Sequence, residues 1–190
     1  MWLRNPEVYV ERYIYGKEEF KNERMDFGSK VALALENGET TDDELVNQLV
    51  LLLPKLKGEV REHEIKVLVT AKAGNFYLLG KLDKFSNLNL ALREVKTGVT
   101  KWTQRRAEGH RQLDHYTTLI WLKHHKLPAD VHLDWAPTEC LEDGSIVLVG
   151  GVHSFKVEKT LRDVLEYLAL ATRVAIEIDK RYREELAKMS

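Results

Sequence analysis

The period of the apolar positions changes along the chain, and the changes mark out its elements. From 17 to 37, Phe20, Phe27, Val31 and Leu35 recur at helical spacing, with Gly28 inside the run and Gly38 as a stop. A second helix is predicted from Thr41, a candidate N-cap with Glu44 three residues on, through Leu45, Leu49 and Leu52 to Pro54. Three strand-like runs follow, 59–71, 76–85 and 88–96, separated by Ala73-Gly74-Asn75 and by Ser86-Asn87. The spacing then predicts a helix over 103–125, ended by Leu127-Pro128, and strands over 130–136 and 145–155, the latter after an Asp143-Gly144 turn. A long amphipathic helix over 159–188 closes the chain, with Leu161, Val164, Leu165, Leu168, Ala175 and Ile178 as its buried stripe. The order α-α-β-β-β-α-β-β-α predicts an α/β fold with a central mixed five-stranded sheet flanked by helices.

At 190 residues the chain is expected to form one domain, with 1–16 as an N-terminal extension and 159–190 as the C-terminal helix. A hydrophobic share of 44% against 31% charged residues is that of a globular protein rather than a disordered one. Cys140 is alone, so this chain forms neither an internal disulfide nor a four-cysteine cluster. The start, Met-Trp-Leu-Arg-Asn-Pro, lacks the apolar run of a signal peptide, and no stretch reaches the roughly 18 apolar residues of a membrane span. A cytoplasmic or nucleoid-associated protein, neither secreted nor membrane-bound, is the expectation.

A net charge of -1 argues neither for nor against a nucleic-acid partner, because charge confined to one groove leaves the total unchanged. The local distribution is more telling. Between 96 and 111 stand Lys96, Lys101, Arg105, Arg106 and Arg111 against the single acid Glu108. The run fits phosphate contacts and a solvated helix face equally well.

The candidate chemistry lies in Gly80-Lys-Leu-Asp83 and Glu94-Val-Lys-Thr-Gly98. Side chains alternate along a strand, so Glu94 and Lys96 share a face, continuing a row of Leu88, Leu90 and Leu92. Charges in such a row need a partner, a metal or water. Either they have one, or the strand leaves the core at Arg93 and its end is wet. Asp83 ends the preceding strand. If the two strands form a hairpin, Asp83 and Glu94 approach each other, and two close carboxylates ask for a cation between them. Mg²⁺, a hard ion taking oxygen ligands at about 2.0–2.1 Å, is the natural candidate. The register is open: a tight turn at Ser86-Asn87 would set Asp83 opposite Leu90, whereas a turn centred near Leu88-Asn89, or a bulge, would set it opposite Glu94.

These segments, followed by Gln112-Leu-Asp-His-Tyr116, resemble the PD-(D/E)XK nuclease superfamily on its RecB-like branch. Gly-x-x-Asp, Glu-x-Lys-x-Gly and Gln-x-x-x-Tyr occur in the family's order on the expected strand, strand and helix, and the resemblance spans roughly 27–137. It implies a restriction-endonuclease-like core and a metal-dependent nuclease cutting DNA, single-stranded or at duplex ends, in replication, recombination or repair. Asp83 and Glu94 would bind Mg²⁺, with Mn²⁺ able to substitute, and the backbone carbonyl of Val95 would be a further ligand. Lys96 would position the attacking water and stabilise charge on the phosphate. Gln112 and Tyr116, on one helical face, would hold substrate or the lysine, and Lys101, Arg105, Arg106 and Arg111 would contact the substrate.

The chain also departs from the family. Many RecB-like members carry a metal-binding histidine four residues after the first helix's glycine, and here that position is Ala32. Glu36, one turn on, is a candidate third carboxylate or simply a surface residue, and His63 and Glu64 on the first strand are another candidate source of a ligand. With one cysteine, this would be a type without an iron–sulfur cluster. His124-His125 reads as a solvated helix end, no paired His or Cys supports a zinc site, and Trp102, Trp121 and Trp135 read as packing residues or base-stacking surfaces. A catalytically inactive nucleic-acid-binding relative, and an unrelated α/β domain with surface ion pairs, are the competing readings. A homo-oligomer or a replication or recombination partner protein is compatible with the length.

Overall fold

The structure, a computed structural model, describes residues 5–18, 22–38, 40–60, 64–72 and 74–189. Helices α1 (Pro6–Tyr13), α2 (Glu23–Asn37) and α3 (Glu44–Leu52) precede strands β1 (Glu59–Val60), β2 (Glu64–Ala71), β3 (Gly74–Lys81), β4 (Lys84–Ser86) and β5 (Ala91–Thr97). Then come α4 (Gln104–Glu108), α5 (Arg111–His124), β6 (Val131–Ala136), β7 (Thr138–Cys140), β8 (Ile146–Leu148), β9 (His153–Lys156) and α6 (Leu161–Met189).

A mixed five-stranded sheet, ordered β1-β4-β5-β6-β9, organises the fold as expected. Its central pair, β5 and β6, is parallel, while the pairs β1–β4, β4–β5 and β6–β9 are antiparallel. Residues 91–95 of β5 are all buried, as a strand covered on both faces must be. On one face Leu92, Leu133 and Trp135 pack against Leu113, Tyr116, Leu119 and Ile120 of α5. On the other, Val95 and Ala136 pack against Phe27 and Val31 of α2 and Val46 and Leu49 of α3.

The outer elements depart from the sequence expectation. The runs 59–71 and 76–85 each split: β1 and β4 join the main sheet, while β2 and β3 form a separate hairpin whose inner side chains, Ile65, Val67, Val69, Phe76 and Leu78, cover α5. The run 145–155 likewise divides into β8, hairpinned with β7 across the predicted Asp143-Gly144 turn, and β9. The helix over 103–125 is two helices. Gly109 caps α4, and α5 starts afresh after His110. Helix α3 is capped by Asp43, whose carboxylate accepts the Val46 N–H, and not by Thr41, which pairs with Asn47. Helix α2 starts at Glu23 under an Asn22 cap and stops at Gly38 in the left-handed conformation (φ 62°), as the sequence indicates. Phe20, His63 and Ala73 lie outside the described residues.

Helix α6 forms over nearly its full predicted length. Val164 is buried and Leu168, Ala175 and Ile178 half-buried, but Leu161 and Leu165, on either side of Val164, are exposed because the buried stripe is narrower than the apolar positions suggest. Helix α1 was not anticipated within the 1–16 extension. It lies against the far end of α6, where Arg181 pairs with Glu7 and the Tyr15 hydroxyl donates to Glu185 at 2.5 Å. Among the described residues, no helix is long and apolar enough to cross a membrane.

Candidate active site

The hairpin of β4 and β5 sets the register that places the two carboxylates. Its turn covers 87–90, with Leu90 at φ 55°, so Lys84 pairs with Arg93, Phe85 with Leu92 and Ser86 with Ala91. One step further, Asp83 faces Glu94. The turn is therefore the wider one centred near Leu88-Asn89, and Leu88 and Leu90 belong to it rather than to a continuous apolar row on the strand. Asp83 is fixed there because its Oδ2 accepts the Val95 N–H at 2.8 Å.

The strand does not become wet at Arg93. Arg93 is buried, and its Nε and Nη2 donate to Asp134 on β6, both at 2.7 Å, with a further bond from Nη2 to Ser154. This bidentate pair keeps β5 inside the core. Glu94, next in line and facing α5, is only 1% exposed.

Burial dominates the electrostatics of the acid pair. The Glu94 carboxyl is pushed up to about 8, first by loss of water and then by the Asp83 charge, with the Lys96 ammonium pulling the other way. Asp83 is also raised by burial, partly opposed by the Val95 N–H and by Lys96. The two groups are close enough for the Asp83 charge to disfavour ionisation of Glu94. Glu94 Oε1 takes the Lys96 ammonium, while Oε2 is buried with no partner among the described residues. An unpaired buried carboxylate oxygen beside a second acid is costly unless it holds a proton or meets a cation.

A polar chain leads from Lys96 into α5. Its Nζ donates to Gln112 Oε1 at 2.7 Å, Gln112 Nε2 donates to the Tyr116 hydroxyl at 2.7 Å, and that hydroxyl donates to the Lys81 carbonyl at 2.6 Å. Gln112 is thus a bridge between the lysine and a buried tyrosine. Burial, followed by the Glu94 charge, raises the Tyr116 hydroxyl, so it stays protonated and able to donate. Gly80 makes the approach possible. A Cβ there would come within 2.5 Å of Leu119 Cδ1 and 3.0 Å of both the His115 and Tyr116 rings. The glycine lets β3 press its carbonyls onto α5, where His115 Nε2 also meets the Leu79 carbonyl at 2.9 Å.

These groups open onto a cleft of about 410 Å³, lined among others by Gly28, Ala32, Asp83, Glu94, Lys96 and Gln112. Val95 and Thr97 also line it. The sequence-predicted trio Asp83, Glu94 and Lys96, with Gln112 and Tyr116 behind, is therefore brought together. Glu36 is not: its carboxylate pairs with Lys81, and it does not line the cleft. Glu64 opens β2 on its exposed side, in the hairpin apart from the main sheet. Among the described residues, no three His, Cys, Asp or Glu side chains are grouped to hold a metal ion.

Lys101, Arg105, Arg106 and Arg111 are all exposed, but they do not form one patch. Arg106 lies over the Trp102 ring at 4.4 Å and donates to the Lys101 carbonyl, whereas Arg111 lines a different groove between β3 and α6. At the end of α5, His125 is exposed and left-handed (φ 53°), as a solvated terminus would be, whereas His124 is half-buried: burial and then the Lys123 charge lower its pKa, and its Nε2 has no partner among the described residues. Trp102 and Trp135 are buried, and Trp121 is half-buried.

His110 was not anticipated at the site. It stands edge-on to Trp102 at 4.9 Å, and burial, reinforced by the Lys96 charge, lowers it to about 4. A lone histidine between two helices carries no sequence signal for this.

The donor set suits a hard divalent cation. Two mutually destabilising carboxyls, one with a free buried oxygen, offer the oxygen ligands such an ion takes, and Lys96 is tied back to Glu94 and Gln112.

No protein-family model matches the chain, and no curated protein matches it in sequence. A solved structure from Eubacterium rectale, named as a candidate exonuclease, aligns with it at a TM-score of 0.50 and 14% identity, covering 89% of this chain and 73% of that one. The chain shares that fold. A second solved protein, SSO0001, aligns at a TM-score of 0.42 and 12% identity over 86% of this chain and 67% of its own, a likeness too distant to argue from.

Proposed function

We propose that this chain is a metal-dependent nuclease of the PD-(D/E)XK superfamily, on the RecB-like branch, that hydrolyses phosphodiester bonds of DNA. The observation that carries the reading is the buried Glu94 carboxyl, across from Asp83 and bonded to Lys96, with one oxygen that has no partner among the described residues. A structural ion pair would not leave that oxygen orphaned in the core. Fold-level likeness to a candidate exonuclease is in accord with it.

In this reading Asp83, Glu94 and the Val95 carbonyl would hold Mg²⁺, or Mn²⁺ in its place. The bound ion would supply a water of lowered pKa and offset phosphate charge. Lys96 has three N–H donors, of which Glu94 and Gln112 take two, leaving the third for a phosphate oxygen or the attacking water. Gln112 and Tyr116 hold that ammonium in place, so its charge meets the transition state without reorganising. The attacking water would give up a proton to solvent as its oxygen bonds to phosphorus, the ester P–O bond would break, and the leaving oxygen would take up a proton from solvent. Lys101, Arg105 and Arg106 would contact the strand's phosphates, Arg111 would do so only from its separate groove, and a partner protein or second copy could present the DNA.

The test mixes purified protein with end-labelled single- and double-stranded DNA in Mg²⁺, Mn²⁺ or EDTA. Cleavage that needs the metal and disappears in Glu94→Ala supports the enzyme. Binding without cutting supports a catalytically inactive relative, a reading favoured by Ala32 lining the cleft where relatives place a histidine. Neither activity removes both.

A further inference from the structure

We propose that His153, stacked on Trp135, forms a subsite for an unpaired nucleobase of the strand whose phosphate lies at Lys96. This rests on the nuclease reading and specifies its substrate: DNA with a single-stranded segment at the site.

Strand register carries the argument. Lys96 of β5 pairs with Trp135 of β6, and Trp135 pairs with His153 of β9. Residues in one such row project from the same face, and neighbouring strands lie about 4.8 Å apart. The histidine is therefore about 10 Å from Lys96 across the sheet, within reach of a base a nucleotide or two along the strand. The two rings are stacked, with centroids 5.3 Å apart and planes 27° from parallel. Trp135 is buried, and its Nε1–H donates to the Gly98 carbonyl at 3.0 Å, so the inner ring is held. His153 is exposed on an edge strand of the sheet, so the stack ends in solvent.

The stack borders a hollow of about 520 Å³, whose other walls include Val99, Trp102, Val149 and Phe155. Exposed Lys101 and Glu139 stand at its rim, the lysine offering a cation to a flanking phosphate and the carboxylate an acceptor for a base amino group. An aromatic platform with a nearby cation is how sequence-tolerant single-strand sites are made. A base inside a duplex, stacked on both sides, presents no free face to such a stack.

The experiment measures binding by fluorescence anisotropy, with Ca²⁺ replacing Mg²⁺, of labelled single-stranded oligonucleotides carrying one abasic position each. The wild type is expected to lose roughly five- to 100-fold in affinity when one particular position is abasic. His153→Ala should bind the intact strand weaker by a similar factor and show no further abasic penalty, whereas His153→Phe, which keeps a stacking ring, should restore it. Unchanged melting of both variants shows that the fold is intact. An abasic penalty that survives in His153→Ala, or a wild type indifferent to every abasic position, overturns the subsite, and metal-dependent cleavage by that same wild type would leave the nuclease reading standing. A wild type that neither binds nor cuts any strand removes both.

Discussion

Glu94→Gln should make the metal-free protein more stable at alkaline pH, although it replaces a residue of the proposed catalytic centre. Glu94 ordinarily ionises near 4.5, and burial beside Asp83 raises it to about 8. That rise corresponds to an upper bound of roughly 4–5 kcal/mol of charging penalty in the folded state. The sign follows from proton binding. Below pH 4.5 the carboxyl is protonated both folded and unfolded, so it contributes no pH dependence. Between 4.5 and 8 only the unfolded chain releases the proton, and stability falls as pH rises, until above about 8 the full penalty is present. A glutamine keeps the shape and never ionises. In EDTA, wild type and Glu94→Gln should melt at similar temperatures near pH 5. At pH 9 the variant should melt higher by several degrees, at about 2–4 °C per kcal/mol for a chain of this size. Mg²⁺ should then raise the wild type's melting temperature and leave the variant's unchanged. Circular dichroism melts at the two pH values suffice. A melting difference between the two proteins that is the same at pH 5 and pH 9 would refute the claim that Glu94 is charged at a cost.

Other expectations follow from the same geometry. Lys96→Ala should lower kcat by roughly 10²–10³ with a smaller effect on KM, as read from steady-state cleavage. Tyr116→Phe removes the hydroxyl between Gln112 and the Lys81 carbonyl and should cost about 1–2 kcal/mol in urea unfolding. Gly80→Ala drives a methyl into Leu119 and the His115 and Tyr116 rings, and should destabilise by about 1–3 kcal/mol in the same assay. Asp134→Ala leaves Arg93 buried without its carboxylate and should cost about 3–5 kcal/mol, whereas replacing both partners by apolar residues should recover most of that loss.

The arrangement around the acids was readable where it depended on local spacing. Glu94 and Lys96 are two apart on a strand, Gln112 and Tyr116 four apart on a helix, and each pair shares a face as those periods require. The register between Asp83 and Glu94 was not readable, because it depends on the turn over 87–90, where Leu90 adopts a positive φ that its side chain does not advertise. Nor was the burial of Glu94. The strand's charged end reads as wet until Arg93 finds Asp134, 41 residues away in sequence. The splitting of the strand runs has a similar cause: Phe76, Leu78, Gly80 and Leu82 alternate without interruption, so nothing local marks where β3 leaves the hairpin and β4 enters the sheet. Two misses did have signals. Asn5 accepts N–H groups at the start of α1 with Pro6 as its first residue, a standard opening, and Gly109 stands where α4 ends.

The most direct test of the central claim is a crystal structure of the protein soaked in Mn²⁺, with the ion located by its anomalous scattering. The account predicts an ion bridging Asp83 and Glu94, with the Val95 carbonyl among its ligands and Lys96 beside it but not coordinating. Full Mn²⁺ occupancy elsewhere on the molecule, with none at Asp83 and Glu94, would contradict it.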